Sequence, residues 1–389
     1  LLGCRYHGRY ALDMAQGRGG DQAAEMTLDG FTFYGGVSHG VEKRSKVRSR
    51  LVADQLVKLI KEADHVVIMG HRMSDLDAIG AAEGVLRICK ICDVPAVIAV
   101  RRDATLAASL IDALCKAGQK DDFIDPKDAL PIISKRTLCI VVDTYQAGLV
   151  ESKDILEKCG KVAVIDHHRK GVGYIENPAL VCHEPYSSSA SELVTELLQY
   201  VGERDDKPNR VEAEGLLAGI LLDTQDFTLH TGVRTFEAAA ALRRYGAETE
   251  RVRRLFDVTM VEYNAKADLV EKAQMYKNCA ISIGGEVAPE ARVAIAQAAN
   301  DLLRIQGVDA SFVAVQVGNG VNVSARSMGA VNVQVIMESL GGGGHQTMAA
   351  AQLKHITPQA ARSRIQDAID QYYLSQKKTT PEARPAKGE

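Results

Sequence analysis

The sequence contains no tryptophan, and only 5% of its 389 residues are aromatic. That scarcity argues against the broad stacking platforms that grip single-stranded nucleic acid. Charge of one sign is also lacking: 47 basic against 50 acidic residues leave a formal net charge of −3. A binder of long duplexes would carry a basic face, and an anionic membrane would find no bulk attraction here. No apolar run reaches bilayer-spanning length, and there is no signal peptide. A zinc or disulfide framework is missing too. The eight cysteines are scattered, and the CxxC of Cys89 and Cys92 falls inside a helical pattern with no second pair at zinc spacing. They read as buried thiols of a reducing cytoplasm. What remains is the composition of an ordinary globular chain, long enough for two or three domains with sizeable cores.

What is present is a recurring pattern of apolar runs that end in acids and histidines. Val66 to Met69 leads into His71, Asp75 and Asp77, and Leu138 to Val142 leads into Asp143-Thr144. Val162 to Ile165 leads into Asp166-His167-His168, and Leu216 to Leu222 leads into Asp223-Thr224. In open α/β sheets, ligands bind outside the C-terminal ends of the strands. One aspartate in such a place is accounted for by capping a helix or turn. His71, Asp75, Asp77, Asp143, His167 and Asp223 together make a set of oxygen and nitrogen ligands with no nearby lysine to neutralise it. Carboxylates gathered in one crevice repel unless cations sit among them, so the set predicts a metal site.

The alternation along the chain predicts how these residues are carried. Strands are expected at 65–69, 96–100, 138–142 and 161–165, and helices at 77–92, 105–116, 152–159 and 187–200. That order predicts an α/β fold with a doubly wound, mostly parallel sheet. Ser187-Ser188-Ser189 ahead of Glu192 reads as a helix start with a capping box, which leaves open whether these serines also meet a phosphate. Residues 41–61 begin with a charged run, after which Leu51, Val52, Leu56, Val57 and Ile60 recur at the spacing of an amphipathic linker helix. Residues 209–278 are helical in pattern, and a smaller α/β unit follows at 279–375. Within it, 312–317 and 321–327 flank Gly318-Asn319-Gly320 as a hairpin. The polar tail 376–389 is expected to be disordered.

Two features of the second unit stand out. Gly341, Gly342, Gly343 and Gly344 run into His345. Glycine loses more backbone entropy on folding than any other residue, so such a run points to amides that must approach something closely, as in an anion nest. Ser324 and Arg326 occupy alternate positions of the hairpin, hence one face, and the arginine fork matches phosphate. Taken singly, a flexible turn and a surface arginine account for them.

In this order, HxxxDxD, Asp-Thr, Asp-His-His-Arg and a second Asp-Thr resemble the DHH phosphoesterase superfamily, which includes RecJ nucleases, family II pyrophosphatases, exopolyphosphatases, nanoRNases and cyclic-di-AMP phosphodiesterases. Ser-Ala-Arg-Ser with the glycine run and His345 resembles its DHH-associated C-terminal domain. MGHRMSDLDAIGAA, VEKRSKVRSR and NVQVIMESLGGGGHQTMAA look most like the GdpP-type cyclic-di-AMP phosphodiesterase branch, and ALDMAQGRGGDQA and FYGGVS resemble the end of a degenerate GGDEF-like domain.

The resemblance implies a GGDEF-like tail over 1–40, a linker helix over 41–61 and a DHH domain over 62–235. A helical connector over 236–278 and a substrate-binding domain over 279–375 would follow. It implies that His71 and Asp75 bind one ion, that Asp77, His167 and Asp223 bind a second, and that Asp143 bridges two Mn²⁺, with Mg²⁺ or another divalent ion as the alternative. Asp166 would orient a histidine, and His168 and Arg169 would act at the phosphate. Ser324, Arg326, Gly341, Gly342, Gly343, Gly344 and His345 would hold substrate. The implied activity is hydrolysis of cyclic di-AMP to 5′-pApA. A nanoRNase or 3′-phosphoadenosine 5′-phosphate phosphatase shares the metal motifs, and a silent nucleotide sensor is the reading from another class. The implied partner is a cyclic dinucleotide rather than long nucleic acid, in a cytoplasmic homodimer. Because the chain begins at Leu1, we expect it to be part of a longer, membrane-anchored parent.

Overall fold

The computed structural model describes residues 22–27, 30–35, 46–168, 173–203, 206–286, 293–344 and 346–379. The chain divides into two compact units, Leu1–Asp257 and Val258–Glu389. The first opens with an antiparallel hairpin of β1 (Gln22–Thr27) and β2 (Gly30–Gly35). The rest of 1–40, including most of the GGDEF-like motifs, lies outside the described residues, as does the tail from 380 onward.

Helix α1 (Lys46–Glu62) forms where the linker helix is expected, but it is not a free linker. Its apolar stripe of Ala53, Leu56 and Ile60 is fully buried in the core of the first unit. The elements that follow are β3 (His65–Met69), α2 (Leu76–Ile91), β4 (Ala96–Ala99), α3 (Ala108–Leu114), β5 (Phe123–Ile124) and α4 (Pro126–Ala129). They continue as β6 (Thr137–Val142), α5 (Lys153–Lys158), β7 (Lys161–Asp166), β8 (Leu180–His183), α6 (Ala190–Leu198), α7 (Arg210–Thr224), α8 (Val233–Arg244) and α9 (Thr249–Arg254).

The strands make one six-stranded sheet in the order β5-β4-β3-β6-β7-β8, parallel throughout. Side chains alternate across a strand, and the cores divide accordingly. Val66, Ile68, Leu138, Ile140 and Ala163 join one cluster with residues of α2, α6 and α7, while Val67, Met69, Cys139, Val141 and Val164 join another with Ile155 of α5. Apolar cover on both faces explains why these strands read as unbroken hydrophobic runs. The chain moves from β3 outward to β4 and β5, then returns to lay β6, β7 and β8 on the other side. The direction of winding therefore reverses between β3 and β6, the place where such sheets open a crevice. β5 and β8 were not marked by hydrophobic patterning: β5 has two residues, and β8 has four with an exposed Val181.

The second unit contains α10 (Met260–Glu271), β9 (Gln274–Tyr276), β10 (Cys279–Glu286), α11 (Val293–Leu302), β11 (Ala310–Val317) and β12 (Gly320–Ser327). It ends with α12 (Val333–Ser339), β13 (Gly343–Gly344), β14 (Met348–Lys354) and α13 (Pro358–Thr379). Its sheet has the order β13-β14-β12-β11-β10-β9 and is mixed, with β10 and β11 parallel and the other pairs antiparallel. The helical stretch 236–278 is shared out rather than standing apart: Leu242 and Val252 pack in the first core, and Leu269 of α10 packs in the second unit.

Helices α2 and α7 touch through glycine. A Cβ on Gly80 would lie 2.9 Å from the Gly215 carbonyl carbon and closer still to its oxygen, and a Cβ on Gly219 would meet Asp77 and Ser191. Replacing glycine by alanine inside a helix ordinarily stabilises by about 1 kcal/mol. Here the backbones leave no room, and overpacking of this kind costs about 1–3 kcal/mol. Gly80→Ala should therefore lower the midpoint of thermal unfolding, despite the better helix propensity; an unchanged or raised midpoint would show that the two helices are free to move apart.

Candidate metal centre

Every expected ligand sits at the C-terminal edge of the parallel sheet or on a helix that starts or ends there. His71, Asp75 and Asp77 follow β3, Asp143 follows β6, His167 follows β7, and Asp223 closes α7. Local chemistry fixes each in place. Asp75 is the N-cap of α2, and its Oδ1 accepts from the amides of Asp77 (3.0 Å) and Ala78 (3.1 Å). Asp143 lies in the left-handed region at φ 57°, a conformation aspartate tolerates better than most residues, and its amide donates to Ile165 O at 2.9 Å. His71 donates from Nδ1 to Arg72 O at 2.9 Å, which orients the ring so that its neutral form can offer Nε2 to an ion.

The six expected ligands fall into two groups that meet at one aspartate, and Asp143 and His167 form a third group with His168. His71, Asp75 and Asp143 offer atoms within 4.8 Å of one another, and so do Asp77, His167 and Asp223. His71 Nε2 is 3.4 Å from Asp143 Oδ2, and His167 Nε2 is 3.3 Å from Asp143 Oδ1. His167 Nε2 also lies 3.1 Å from Asp223 Oδ2 and 3.9 Å from Asp77 Oδ2. Asp143 thus turns one oxygen to each group. Its Oδ1 and His167 Nε2 are buried without a properly directed hydrogen bond among the described residues.

The electrostatics of this packing call for cations. Burial, then the charges of Asp143 and Asp223, push Asp77 well above the ordinary carboxylate range. Burial likewise raises Asp223, against the pull of His167. Burial would also raise Asp143, but the close approach of the His167 and His71 rings holds it low. For His71, burial disfavours the charged ring, yet Asp143 and Asp75 outweigh it and carry the pKa to about 11. His167 is raised in the same way by Asp143 and Asp223. In effect protons neutralise the cluster where divalent ions would do so at lower cost. The donor set of carboxylates and imidazoles suits such ions.

Asp166, fully buried, accepts from His168 Nδ1 at 2.8 Å and so orients that ring, whose Nδ1 lies 3.6 Å from Asp143 Oδ1. Arg169 lies outside the described residues. Patterning gave no sign of two other supports. Asp77 accepts from the amides of Ala190 and Ser191 at 2.7 and 2.8 Å, and His183 donates from Nε2 to His168 O. Backbone amides carry no side-chain signature, and β8, which bears His183, is too short and too exposed to show a strand pattern. Ser187, Ser188 and Ser189 do start a helix, with Ser189 as its N-cap; the first two hydroxyls are taken by Glu192.

In the second unit Ser324 and Arg326 share a face, with Arg326 Nη1 donating to Ser324 Oγ at 3.1 Å. Burial lowers the Arg326 pKa to about 10, and its Nε is buried without a partner among the described residues. Asn322, Ser324, Gly342 and Gln352 line a cavity of about 460 Å³. The glycine run has a packing reason as well as a chemical one. Gly343 and Gly344 pair with β14, and a Cβ on Gly342 or Gly344 would strike the carbonyl of Ala350 or Met348. His345 lies outside the described residues.

Comparison with known proteins bears on the whole chain. The family model for the N-terminal domain of the DHH family matches residues 65–220, and that for the DHHA1 domain matches 288–374. The sequence is 46% identical over 369 residues to the cyclic-di-AMP phosphodiesterase GdpP of Geobacillus thermodenitrificans (strain NG80-2), covering 93% of this chain and 56% of that protein. It is 43% identical over 373 residues to the protein of that name from Bacillus subtilis (strain 168), with the same coverage. The chain spans little more than half the length of these curated relatives. An exopolyphosphatase-related protein from Bacteroides fragilis shares the fold, with TM-score 0.72 and 20% identity over 84% of this chain and 98% of that one.

The raised histidines set a sign for metal binding. Below its pKa of about 11 the metal-free His71 ring is protonated, and coordination through Nε2 requires the neutral ring. Binding of Mn²⁺ near neutral pH should release protons, and affinity should strengthen as pH rises, by about tenfold per unit for each proton displaced. Calorimetry in buffers of different ionisation enthalpy reads this directly; affinity independent of pH would contradict it.

Proposed function

The chain belongs to the DHH family, and from that premise we propose that it is a two-metal phosphodiesterase that hydrolyses cyclic di-AMP to linear 5′-pApA. The observation that carries the reaction class is Asp143, whose two oxygens are divided between a His71–Asp75 group and an Asp77–His167–Asp223 group. The names of the relatives at 46% and 43% identity support the substrate. The geometry suits the ligand assignment that the resemblance implies, with Mn²⁺ as the expected metal and Mg²⁺ as the alternative. When bound, such a pair supplies Lewis acidity at phosphorus and a water of lowered pKa for in-line attack.

The remaining steps fall to the chain's own groups. Asp166 holds His168 by Nδ1, and the ring so oriented is assigned to steady the charge on the phosphate or protonate the leaving oxygen. Burial and the His167 charge oppose protonation of His168, but Asp166 and Asp143 outweigh them and raise its pKa, which keeps a proton on the ring for either task. Arg169 is assigned to the same phosphate. Arg326 is half-buried, and its buried Nε has no partner among the described residues; this supports a role in taking an anion, because an uncompensated buried charge is costly. With Ser324, the loop of Gly341, Gly342, Gly343 and Gly344, and His345, it would hold the non-reacting phosphate or a base. The same reading places the chain in a homodimer and in a membrane-anchored parent. No helix among the described residues is long and apolar enough to cross a membrane.

Two substitutions separate chemistry from holding. Asp143→Ala removes the shared ligand, so turnover should vanish and metal content should fall. Arg326→Ala should leave metal content alone. A charged hydrogen bond is worth about 1.5–3 kcal/mol, so kcat/KM should drop roughly 10- to 100-fold, chiefly through KM if the contact is equally strong in ground and transition states. Rates with Mn²⁺ should be compared on cyclic di-AMP, cyclic di-GMP, pApA and 3′-phosphoadenosine 5′-phosphate. Faster turnover of either of the last two would favour the nanoRNase or phosphatase reading, and no turnover of any would favour a sensor.

A further inference from the structure

We propose that Glu192 is a positioning residue for Asp77, acting through the first turn of α6. The consequence for metal binding rests on the two-metal reading above; the geometry does not. Asp77 is fully buried on α2, and each of its oxygens accepts one amide, Oδ2 from Ala190 at 2.7 Å and Oδ1 from Ser191 at 2.8 Å. Ser191 Oγ adds a bond to the Asp77 carbonyl at 3.3 Å. With those directions committed, the carboxylate can present its remaining lone pairs only one way, and Oδ2 lies 3.9 Å from His167 Nε2.

The aim of the two amides depends on the turn that precedes them. In an ordinary capping box, a glutamate at the third helical position accepts from the N-cap amide. Glu192 occupies that position but reaches further back. Its Oε1 accepts from Ser187 Oγ at 2.8 Å and its Oε2 from Ser188 Oγ at 2.6 Å, while its own amide donates to Ser189 Oγ at 3.0 Å. One residue thus fastens three consecutive serines, two through its carboxylate and the third through its amide. It does so at 1% exposure, although burying a carboxylate costs several kcal/mol before compensation. Among the described residues, the cation paired with it is Arg234, 3.9 Å away and forked onto Glu196 by two bonds of 2.7 Å. Helix capping alone would not need this arrangement, because the Ser189 hydroxyl already caps α6. A carboxylate that locks the approach to two amides does need it.

The test uses the full chain with Glu192→Ala, Glu192→Gln and the double variant Ser187→Ala/Ser188→Ala, which removes little volume. Mn²⁺ binding is followed by electron paramagnetic resonance of the free ion, and hydrogen exchange of the Ala190 and Ser191 amides is measured without metal. Loss of a supporting group of this kind weakens a metal site by roughly 10- to 100-fold. Glu192→Ala and the serine pair should weaken one of the two ions by that factor and leave the other unchanged. Glu192→Gln, which keeps the shape and an acceptor, should recover part of the loss. Exchange at Ala190 and Ser191 should quicken in Glu192→Ala. Equal weakening of both ions, no weakening in a folded variant, or unchanged exchange would overturn the proposal. A parent chain that binds a single ion would overturn the two-metal reading instead, and the exchange rates would still decide the part played by Glu192.

Discussion

Asp75, Asp77, Asp143 and Asp223 are held where their charges oppose one another, with His71, His167 and His168 between them. Two like charges 4 Å apart repel by about 1 kcal/mol in water and by about 4 kcal/mol at the effective dielectric of a protein surface. Left to itself, a loop bearing these groups would open. The sheet edge therefore supplies positions that side-chain repulsion cannot move: residues one to two places beyond β3, β6 and β7, and others in the first turn of α2 and the last of α7. The amide caps on Asp75 and Asp77 add fixed partial positive charge, as the N-terminus of a helix does generally.

That demand reaches back into the packing. Asp77 and Asp223 belong to one ligand group but to different helices, so α2 and α7 must lie close together for both to serve it. Gly80 against Gly215, and Gly219 against Asp77 and Ser191, permit that approach. The glycines of these helices are therefore part of the site, although none bears a functional group. α6 completes the arrangement, since its N-terminus meets Asp77 while its flank carries Glu192 and Glu196, the partners of Arg234.

The second unit has apolar clusters on both faces of its sheet, and along β12 it turns a row of polar groups away from the larger one. Strict alternation along β12 does this: Val321, Val323 and Ala325 are buried, while Asn322, Ser324 and Arg326 look the other way. The glycine run then lets β13 lie against β14 with no side chain in between. The run serves backbone packing, and the amides of Gly341 and Gly342 close the end of α12 by donating to Glu338 O and Met337 O.

Much of this was legible in the chain. Buried parallel strands read as apolar runs because both of their faces are covered. Period-two alternation placed Ser324 and Arg326 on one face, and the acids and histidines declared themselves because nothing nearby neutralises them. Residue type and order settle these properties, since they depend on a few neighbours along the backbone. Other features came only with the tertiary structure. β5 and β8 are too short or too exposed to show a pattern. Helix α1 was expected as a linker, yet its apolar stripe lies in the core. The division of the ligands about Asp143, the amides of Ala190 and Ser191 on Asp77, and the reach of Glu192 to three serines all join residues distant in sequence or use backbone groups that every residue possesses. Periodicity and composition report what a residue carries. Which groups meet was decided by the reversal of winding between β3 and β6 and by how closely the helices could pack.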